Sequence, residues 1–389
     1  IISIRDTANF SFVVLDSLNR IVAVWRVLWE FPKSSPGAES SSSGSEPSSS
    51  QGFLESSSSA EIMENSSSSV AYPQFSELSA DGGTVSVSGE RIYVELPYPS
   101  DLSRVRLFPM DSVLDLRREV EMTFLDSAGN KFTYKVIAGS QIPGSDFNAR
   151  EDAFWATTSD AIGKKGSAKV LGTSYTFTSS ENLAENGSSL TLSTKEVVCA
   201  WGSITGGWKT ASGFYFAGSY SGKDARDIYD RNYSSGTPST DASDISLDMT
   251  FGKPFTGRPV AFELSYAYSH VANKNKDFPQ KSLAYVVLLS ADNKAVAVGM
   301  LSDSASVEQA TKTAPLSYGA DPDGLLTGGY AGLSDVSLGS GEEDVESILV
   351  LFASSAYAHV VAGGLAGNAE KYRGGENSSL TLENFRLVY

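Results

Sequence analysis

Aromatic side chains are the residues of this sequence whose types point most directly to chemistry. A flat ring can stack on the apolar face of a pyranose sugar, and neighbouring amides, carboxylates or guanidinium groups can then bind the sugar hydroxyls. The chain contains 5 tryptophans and 17 tyrosines. The aromatic candidates for a sugar-binding surface are Trp155, Trp208, Tyr215, Tyr266, Tyr268 and Tyr318.

These candidates differ in their expected exposure. Trp208 follows two glycines in Gly206-Gly207-Trp208-Lys209, a loop pattern that favours an exposed ring, and Trp155 follows the acidic Glu151-Asp152 and could line a cleft. Tyr266 and Tyr268 share one strand face because they are two residues apart. Phe262 and Leu264 share that face too, so a core position is the favoured alternative for the two tyrosines.

Pairs of carboxylates are a second source of chemistry. Glycoside hydrolysis uses an acid together with a base or nucleophile, held roughly 5 to 10 Å apart. In a chain with 46 acidic residues such pairs also arise by chance on the surface. Hydrolysis therefore stays an alternative, and a role without catalysis is favoured. The pairs that are close in sequence are Asp321 with Asp323, Glu342 to Asp344, and Asp224 with Asp227.

Other catalytic and metal chemistries find little support. Gly218-Ser219-Tyr220-Ser221-Gly222 does not place its serine where a nucleophile elbow needs it, and His359 lies in an apolar stretch typical of a core histidine. The single cysteine, Cys199, excludes an intramolecular disulfide framework and a multi-thiolate metal site. Asp321-Pro322-Asp323-Gly324 predicts a turn, and calcium there would need further oxygen ligands. We expect no cofactor.

The charge of the chain argues against a nucleic-acid partner. The 46 acidic residues outnumber the 30 basic ones and give a formal net charge of −16. Binding to a phosphate backbone depends on lysine and arginine that release counterions from it. A chain this acidic repels such a backbone, so we expect no DNA or RNA partner. The sequence contains no run of about 18 consecutive apolar residues, the length that a membrane span requires.

Strands are the elements that must position the candidate residues. Between residues 75 and 138, apolar positions alternate with period two and turn signals separate them, which predicts a small immunoglobulin-like β-sandwich. From residue 140 the alternation continues in longer strands without a convincing helical period, which predicts an all-β jelly roll of two sheets. Its predicted strands include 190–198, 213–220, 245–251, 260–269, 283–290, 295–301, 348–353 and 380–389, and the polar connections 223–243, 272–281 and 302–343 are expected at the ends of the sandwich.

The predicted organisation has four parts: a hairpin at 1–31, a serine-rich disordered linker at 32–73, the immunoglobulin-like domain at 74–139 and the jelly roll at 140–389. The linker is too polar to offset its conformational entropy by burial. Leu15-Asp16-Ser17 in the first hairpin matches Leu125-Asp126-Ser127. We expect the hairpin to end a preceding immunoglobulin-like repeat that was truncated upstream, with a chance likeness as the equal alternative.

Several separated motifs resemble the family named "putative carbohydrate metabolism domain" (PCMD). They are Phe154-Trp155-Ala156-Thr157-Thr158-Ser159-Asp160-Ala161, Phe251-Gly252-Lys253-Pro254-Phe255 with Arg258-Pro259, the pair Tyr266 and Tyr268, Ser354-Ser355, and residues 379–389. The resemblance covers about two-thirds of the chain. It implies a carbohydrate-binding jelly roll behind an immunoglobulin-like domain and adds Arg258 to the candidate site. The sequence departs from the family's pattern at Glu383-Asn384 and Ala267, which puts a ligand or ion at those positions in doubt.

The function predicted from these features is polysaccharide or glycan recognition by a bacterial protein that is secreted or held at the cell surface. The expected partners are a glycan and other modules of a secreted carbohydrate-degrading system. Two alternatives remain open: a glycoside hydrolase that uses paired carboxylates, and a structural or adhesin module without a sugar site.

Overall fold

The structure is a computed structural model, and it describes part of the chain. The described residues are 9–15, 21–28, 78–108, 112–125, 131–148, 153–157, 166–170, 173–179, 183–195, 197–201, 204–205, 212–220, 249–359 and 374–389. The predicted linker at 32–73 and Trp208 lie outside them.

Strands dominate the described residues, which contain no α-helix and one 3-10 turn at Leu102–Arg104. The all-β prediction is confirmed. Among the described residues, no helix has the length and apolarity needed to cross a membrane. The first strands are β1 Asn9–Leu15, β2 Ile21–Leu28, β3 Ser79–Ala80, β4 Thr84–Ser88, β5 Arg91–Glu95, β6 Val105–Phe108, β7 Ser112–Leu114, β8 Val120–Leu125 and β9 Lys131–Gly139.

The later strands match most of the predicted ones to within a few residues. They are β10 Trp155–Thr157, β11 Gly166–Val170, β12 Thr173–Ser179, β13 Leu183–Glu185, β14 Leu190–Ser193, β15 Val197–Trp201, β16 Ile204–Thr205, β17 Phe214–Tyr220, β18 Met249–Phe251, β19 Lys253–Pro254, β20 Ala261–Ser269, β21 Leu283–Leu289, β22 Lys294–Leu301, β23 Val307–Pro315, β24 Ser317–Tyr318, β25 Ser337–Leu338, β26 Ser347–Ala353 and β27 Ser379–Val388.

The chain divides into two compact units, and the first comprises residues 1–77, 87–92 and 121–136. Its β1 and β2 form the predicted antiparallel hairpin, with Phe12 opposite Trp25. Strand β1 also pairs with β8, through Ser11 and Leu125. The first hairpin thus extends the sheet that contains β8, while its origin as part of a repeat stays a prediction.

The second unit comprises residues 78–86, 93–120 and 137–389. It contains a sheet in the order β10-β17-β26-β21-β22-β24, with β18, β19 and β25 paired to its members, and a sheet in the order β13-β14-β27-β20-β23. Alternate side chains of both sheets share one core, for example Phe262 and Phe385 from the smaller sheet with Val286 and Phe352 from the larger. This is the predicted two-sheet sandwich.

The centre of the larger sheet is buried on both faces. All seven residues of β21 are buried. Tyr285 and Val287 belong to a second core that includes Leu325, Ala331 and Leu333. The predicted polar connection 302–343 is therefore corrected in two ways. It contains strands β23, β24 and β25, and part of it packs on the outer face of the larger sheet.

Candidate ligand-binding site

Two of the predicted platforms, Trp155 and Tyr215, lie in the core at 1% exposure each. Their rings stack on each other, with centroids 4.8 Å apart, and Phe147 packs against both. The indole Nε1 of Trp155 donates a hydrogen bond to the Pro143 carbonyl at 2.7 Å. Rings covered in this way fill the core and have no face open to a sugar.

Tyr266 and Tyr268 are also buried, so the structure supports the core alternative for this pair. The hydroxyl groups of both tyrosines form hydrogen bonds. Tyr266 donates a hydrogen bond to the carboxylate of Asp303, which also accepts one from Lys312 Nζ at 2.6 Å. Tyr268 Oη accepts a hydrogen bond from Gln280 Nε2 at 2.9 Å.

Arg258 and Tyr318 do come together, but as part of a structural contact. The guanidinium carbon of Arg258 lies 4.5 Å from the centroid of the Tyr318 ring. The same guanidinium donates hydrogen bonds to the carbonyls of Glu343 and Gly341, at 2.8 and 2.5 Å. These contacts hold the turn before β26 in place and occupy one face of the Tyr318 ring.

Three members of the carboxylate pairs close in sequence, Asp321, Glu342 and Asp344, are engaged in structural contacts. Asp321 accepts hydrogen bonds from the amides of Leu325 and Leu326, as expected for the predicted turn. Glu342 pairs with Arg118 at 2.9 Å, and Asp344 pairs with Arg117 at 3.0 Å. Asp224 and Asp227 lie outside the described residues.

The carboxylate between them, Glu343, closes its own turn. It accepts hydrogen bonds from the backbone amides of Ser340 and Gly341, at 2.8 and 3.0 Å. These bonds favour the charged form and lower the pKa of Glu343 to about 2. An acid that stays ionised in this way is poorly suited to donate a proton.

The structure instead gathers aromatic residues at one end of the larger sheet, where β21 begins and β26 ends. Leu283 and Ala353 are paired there, so the residues before β21 and after β26 lie side by side. Phe278, Tyr330, Tyr357 and Lys281 meet at this end, and we call these four residues the aromatic cluster. They come from three segments that are far apart in the sequence.

Contacts among the rings define the cluster. Tyr330 and Tyr357 are stacked, with centroids 5.9 Å apart and an interplanar angle of 27°. Phe278 meets Tyr357 edge-on at 5.9 Å. Tyr330 is buried at 7% exposure, whereas Phe278 and Tyr357 are partly exposed. The cluster thus has a buried base and two rings that reach solvent.

Lys281 supplies a positive charge inside the cluster. Its Nζ donates a hydrogen bond to Tyr330 Oη at 2.6 Å and lies 5.0 and 5.1 Å from the ring centroids of Tyr330 and Tyr357. Burial alone would lower the pKa of Lys281, but the two tyrosine hydroxyls outweigh it and the pKa is raised. The ammonium group therefore stays charged at neutral pH.

Short-range polar turns shape the loop that carries Phe278. Asn273 Nδ2 donates a hydrogen bond to the Phe278 carbonyl at 2.8 Å. The side-chain oxygen of Asn275 accepts one from the Asp277 amide at 2.9 Å. Asparagine side chains that bind nearby backbone groups in this way fix tight turns, and here they fix the position of Phe278.

A buried amide holds the next residue of the same segment. Gln280 is 3% exposed, and its Nε2 donates to Tyr268 Oη and to the Ser354 carbonyl. Its Oε1 accepts from Ser355 Oγ and from the Gly375 amide. The side chain thus connects β20, the segment after β26 and the segment before β27. It anchors the position next to Lys281.

Alkaline pH is expected to lower the stability of this unit through Tyr266. Burial, followed by the hydrogen bond to Asp303, raises the pKa of Tyr266 from 10.0 to about 12. The unfolded chain therefore loses this proton at lower pH than the folded one, so the contribution is complete below about pH 10 and is lost as the pH rises towards 12. Urea unfolding at several pH values checks this. If the free energy of unfolding of a Tyr266→Phe variant fell as steeply above pH 10 as that of the native chain, the expectation would be contradicted.

The sequence-based search missed the residues of the cluster because it favoured aromatic residues in strands. Each ring lies beside typical turn residues, in Asp277-Phe278-Pro279, Gly328-Gly329-Tyr330 and Ser355-Ala356-Tyr357. Of the predicted site residues, Trp208 was the one chosen because it lies beside turn residues. Among the described residues, no group of three or more histidine, cysteine, aspartate or glutamate side chains could hold a metal ion.

Comparisons with known proteins add little to this site. A scan of protein-family models gives no match, and neither does a search of curated proteins. Membership of the PCMD family therefore stays a prediction. A solved structure of a putative glycoside hydrolase from Bacteroides thetaiotaomicron VPI-5482 aligns over 80% of this chain and 95% of its own, with 14% identity and a TM-score of 0.32. A likeness at that TM-score establishes neither fold nor activity.

Proposed function

We propose that the second unit binds a carbohydrate through the aromatic cluster at the end of its larger sheet. One observation carries the proposal: the partly exposed rings of Phe278 and Tyr357 meet at the buried Tyr330. The hydroxyl of Tyr330 accepts a hydrogen bond from Lys281. Exposed aromatic faces beside a few fixed polar groups are the usual means by which proteins bind sugar rings. The resemblance of the sequence to the PCMD family supports the same class of ligand.

The cluster is prepared for binding because its loops are held by buried contacts. Gln280 has four hydrogen bonds and the Asn273 side chain holds the Phe278 carbonyl. A ligand that meets a site already in place loses less free energy to ordering of the protein. A location outside the cell or at the cell surface, on a serine-rich linker, belongs to the same proposal and is supported by the composition of residues 32–73.

Binding without catalysis is preferred over hydrolysis. Asp321 binds the backbone of its own turn, and Glu342 and Asp344 form ion pairs. These contacts argue against their use as a pair of acid and base. The alternative remains testable, since sugar release from oligosaccharides incubated with the full chain would favour a glycoside hydrolase.

The direct test is binding of the full chain to a broad panel of plant and host glycans, followed by affinity measurement on any hit. Tyr357→Ala removes the central ring of the cluster, and we expect about tenfold weaker binding or more, because one aromatic contact is worth about 1 kcal/mol beyond its buried area.

Phe108→Ala provides a matched control, because Phe108 is an exposed aromatic residue of β6 outside the cluster. This variant should bind like the native chain. Absence of binding across the panel, or an equal loss in both variants, would contradict the proposed function.

A further inference from the structure

The segment that leads into β21 and carries Phe278 and Lys281 has a charge opposite to that of the whole chain. The net charge is −16, yet residues 272–281, which lead into β21, contain Lys274, Lys276 and Lys281 against the single acid Asp277. Lys276 is exposed and Phe278 is partly exposed. A segment with excess positive charge thus borders the rings that reach solvent.

Among the residues that the structure describes, no carboxylate pairs with Lys281. Within the described part of the chain, its polar contacts are with tyrosines: the hydrogen bond to Tyr330 and the ring contacts with Tyr330 and Tyr357. Lys312, by contrast, has an acidic partner in Asp303 at 2.6 Å. An ammonium group has three donors, so contacts with the hydroxyls of Tyr330 and Tyr357 still leave one donor of Lys281 for an anion.

A partly buried charge needs a compensating group more than an exposed one does. Lys281 is partly buried, where attraction between opposite charges is stronger than in bulk water. The tyrosine ring faces offset part of the desolvation of the ammonium group. A negatively charged ligand group would complete the compensation.

We propose that the aromatic cluster binds a sugar that carries an acidic group, a carboxylate or a sulfate ester, with Lys281 as the residue that contacts this group. The inference rests on the proposed function, because the rings supply the stacking surface for the sugar. It adds that the ligand is anionic and names the residue that selects it.

The experiment compares oligosaccharides that share a backbone and differ in charge. Oligogalacturonates carry carboxylates, and their methyl esters are the neutral match. Sulfated galactan oligosaccharides and their desulfated forms test the second source of charge. We expect the native chain to bind at least one acidic form about tenfold tighter than its neutral match, since hydrogen bonds to charged groups are the stronger class, and to lose this preference as salt is added.

Three variants assign the effect to Lys281. Lys281→Met keeps the length of the side chain without its charge and should bind acidic and neutral forms alike, whereas Lys281→Arg should retain the preference. Lys294→Met is the matched control, because Lys294 is an exposed lysine at the start of β22, beside the opposite end of β21. Its affinities should equal those of the native chain. Thermal unfolding of each variant shows that the fold is intact.

The outcomes separate this inference from the proposed function. A native chain that binds neutral forms as tightly as acidic ones, or an acidic preference that survives in Lys281→Met, overturns the inference and leaves sugar binding standing. An equal loss in Lys294→Met also overturns it, because the attraction would then be general. No binding to any form, with Tyr357→Ala equally silent, overturns both proposals.

Discussion

Substitution Gln280→Leu is expected to lower the free energy of unfolding of the second unit by about 3 kcal/mol, because it leaves buried polar groups without partners. The four hydrogen bonds of Gln280 join Tyr268, Ser354, Ser355 and Gly375 at distances of 2.7 to 2.9 Å. Leucine fits a similar volume but offers no donor or acceptor. Each buried group left unpaired costs about 1 to 3 kcal/mol, and the hydroxyls can recover part of this by rotating.

Urea unfolding followed by tryptophan fluorescence measures the effect, since Trp155 is buried in the core that includes Tyr268, a partner of Gln280. Gln309→Leu is the control. Gln309 is exposed on β23, where its amide donates to Glu383 at 2.6 Å, and surface changes of this kind stay within about 0.5 kcal/mol. If Gln280→Leu lowered the free energy of unfolding by less than about 1 kcal/mol, the amide would not be what holds these segments together.

The strands could be predicted from the sequence because their side chains alternate between one buried and one solvent-facing side. In β20, Phe262, Leu264, Tyr266 and Tyr268 are buried and the residues between them are less so. The strand observed at Ala261–Ser269 accordingly differs from the predicted 260–269 by one residue. Period-two burial leaves a direct trace in the residue types.

The cover on the outer face of the larger sheet could not be predicted in the same way. The run Leu283–Leu289 is apolar throughout, which indicates burial on both sides. The segment that buries the second side presents Leu325, Tyr330, Ala331 and Leu333 among glycines and turn residues. Such a segment has neither strand nor helix period, so its sequence resembles that of a solvent-exposed connection.

The candidate site was missed for a related reason. The cluster depends on which chain ends lie together, and the pairing of Leu283 with Ala353 determines this. Pairing between strands 70 residues apart leaves no local sequence pattern. Residue type alone favoured Trp155 and Tyr215, whose size makes them good platforms and equally good core residues.

A second large loss of stability is expected from Gly139→Ala, because the added methyl group would overlap the ring of Tyr389. The ring has little room to move. Its hydroxyl donates to the Ser140 carbonyl at 2.9 Å and accepts from the Ser140 amide at 3.1 Å, and the ring stacks on Tyr93 with centroids 5.4 Å apart. Overpacking of this kind costs about 1 to 3 kcal/mol, and we expect the upper part of that range because Tyr389 is held on several sides.

Gly257 shows that the constraint is space for this ring. A methyl group at Gly257 would lie 2.7 Å from Tyr389 Oη, so Gly257→Ala should be destabilising as well. A double-mutant cycle distinguishes the collision from a general cost of replacing glycine. With Tyr389→Leu in place, Gly139→Ala should cost less than half of what it costs in the native chain, because the smaller side chain leaves room for the methyl group. If the losses in free energy of unfolding, measured with urea, were additive instead, Gly139 would be required for the conformation of its backbone. The close approach of the Tyr389 ring would then not explain why glycine occupies this position.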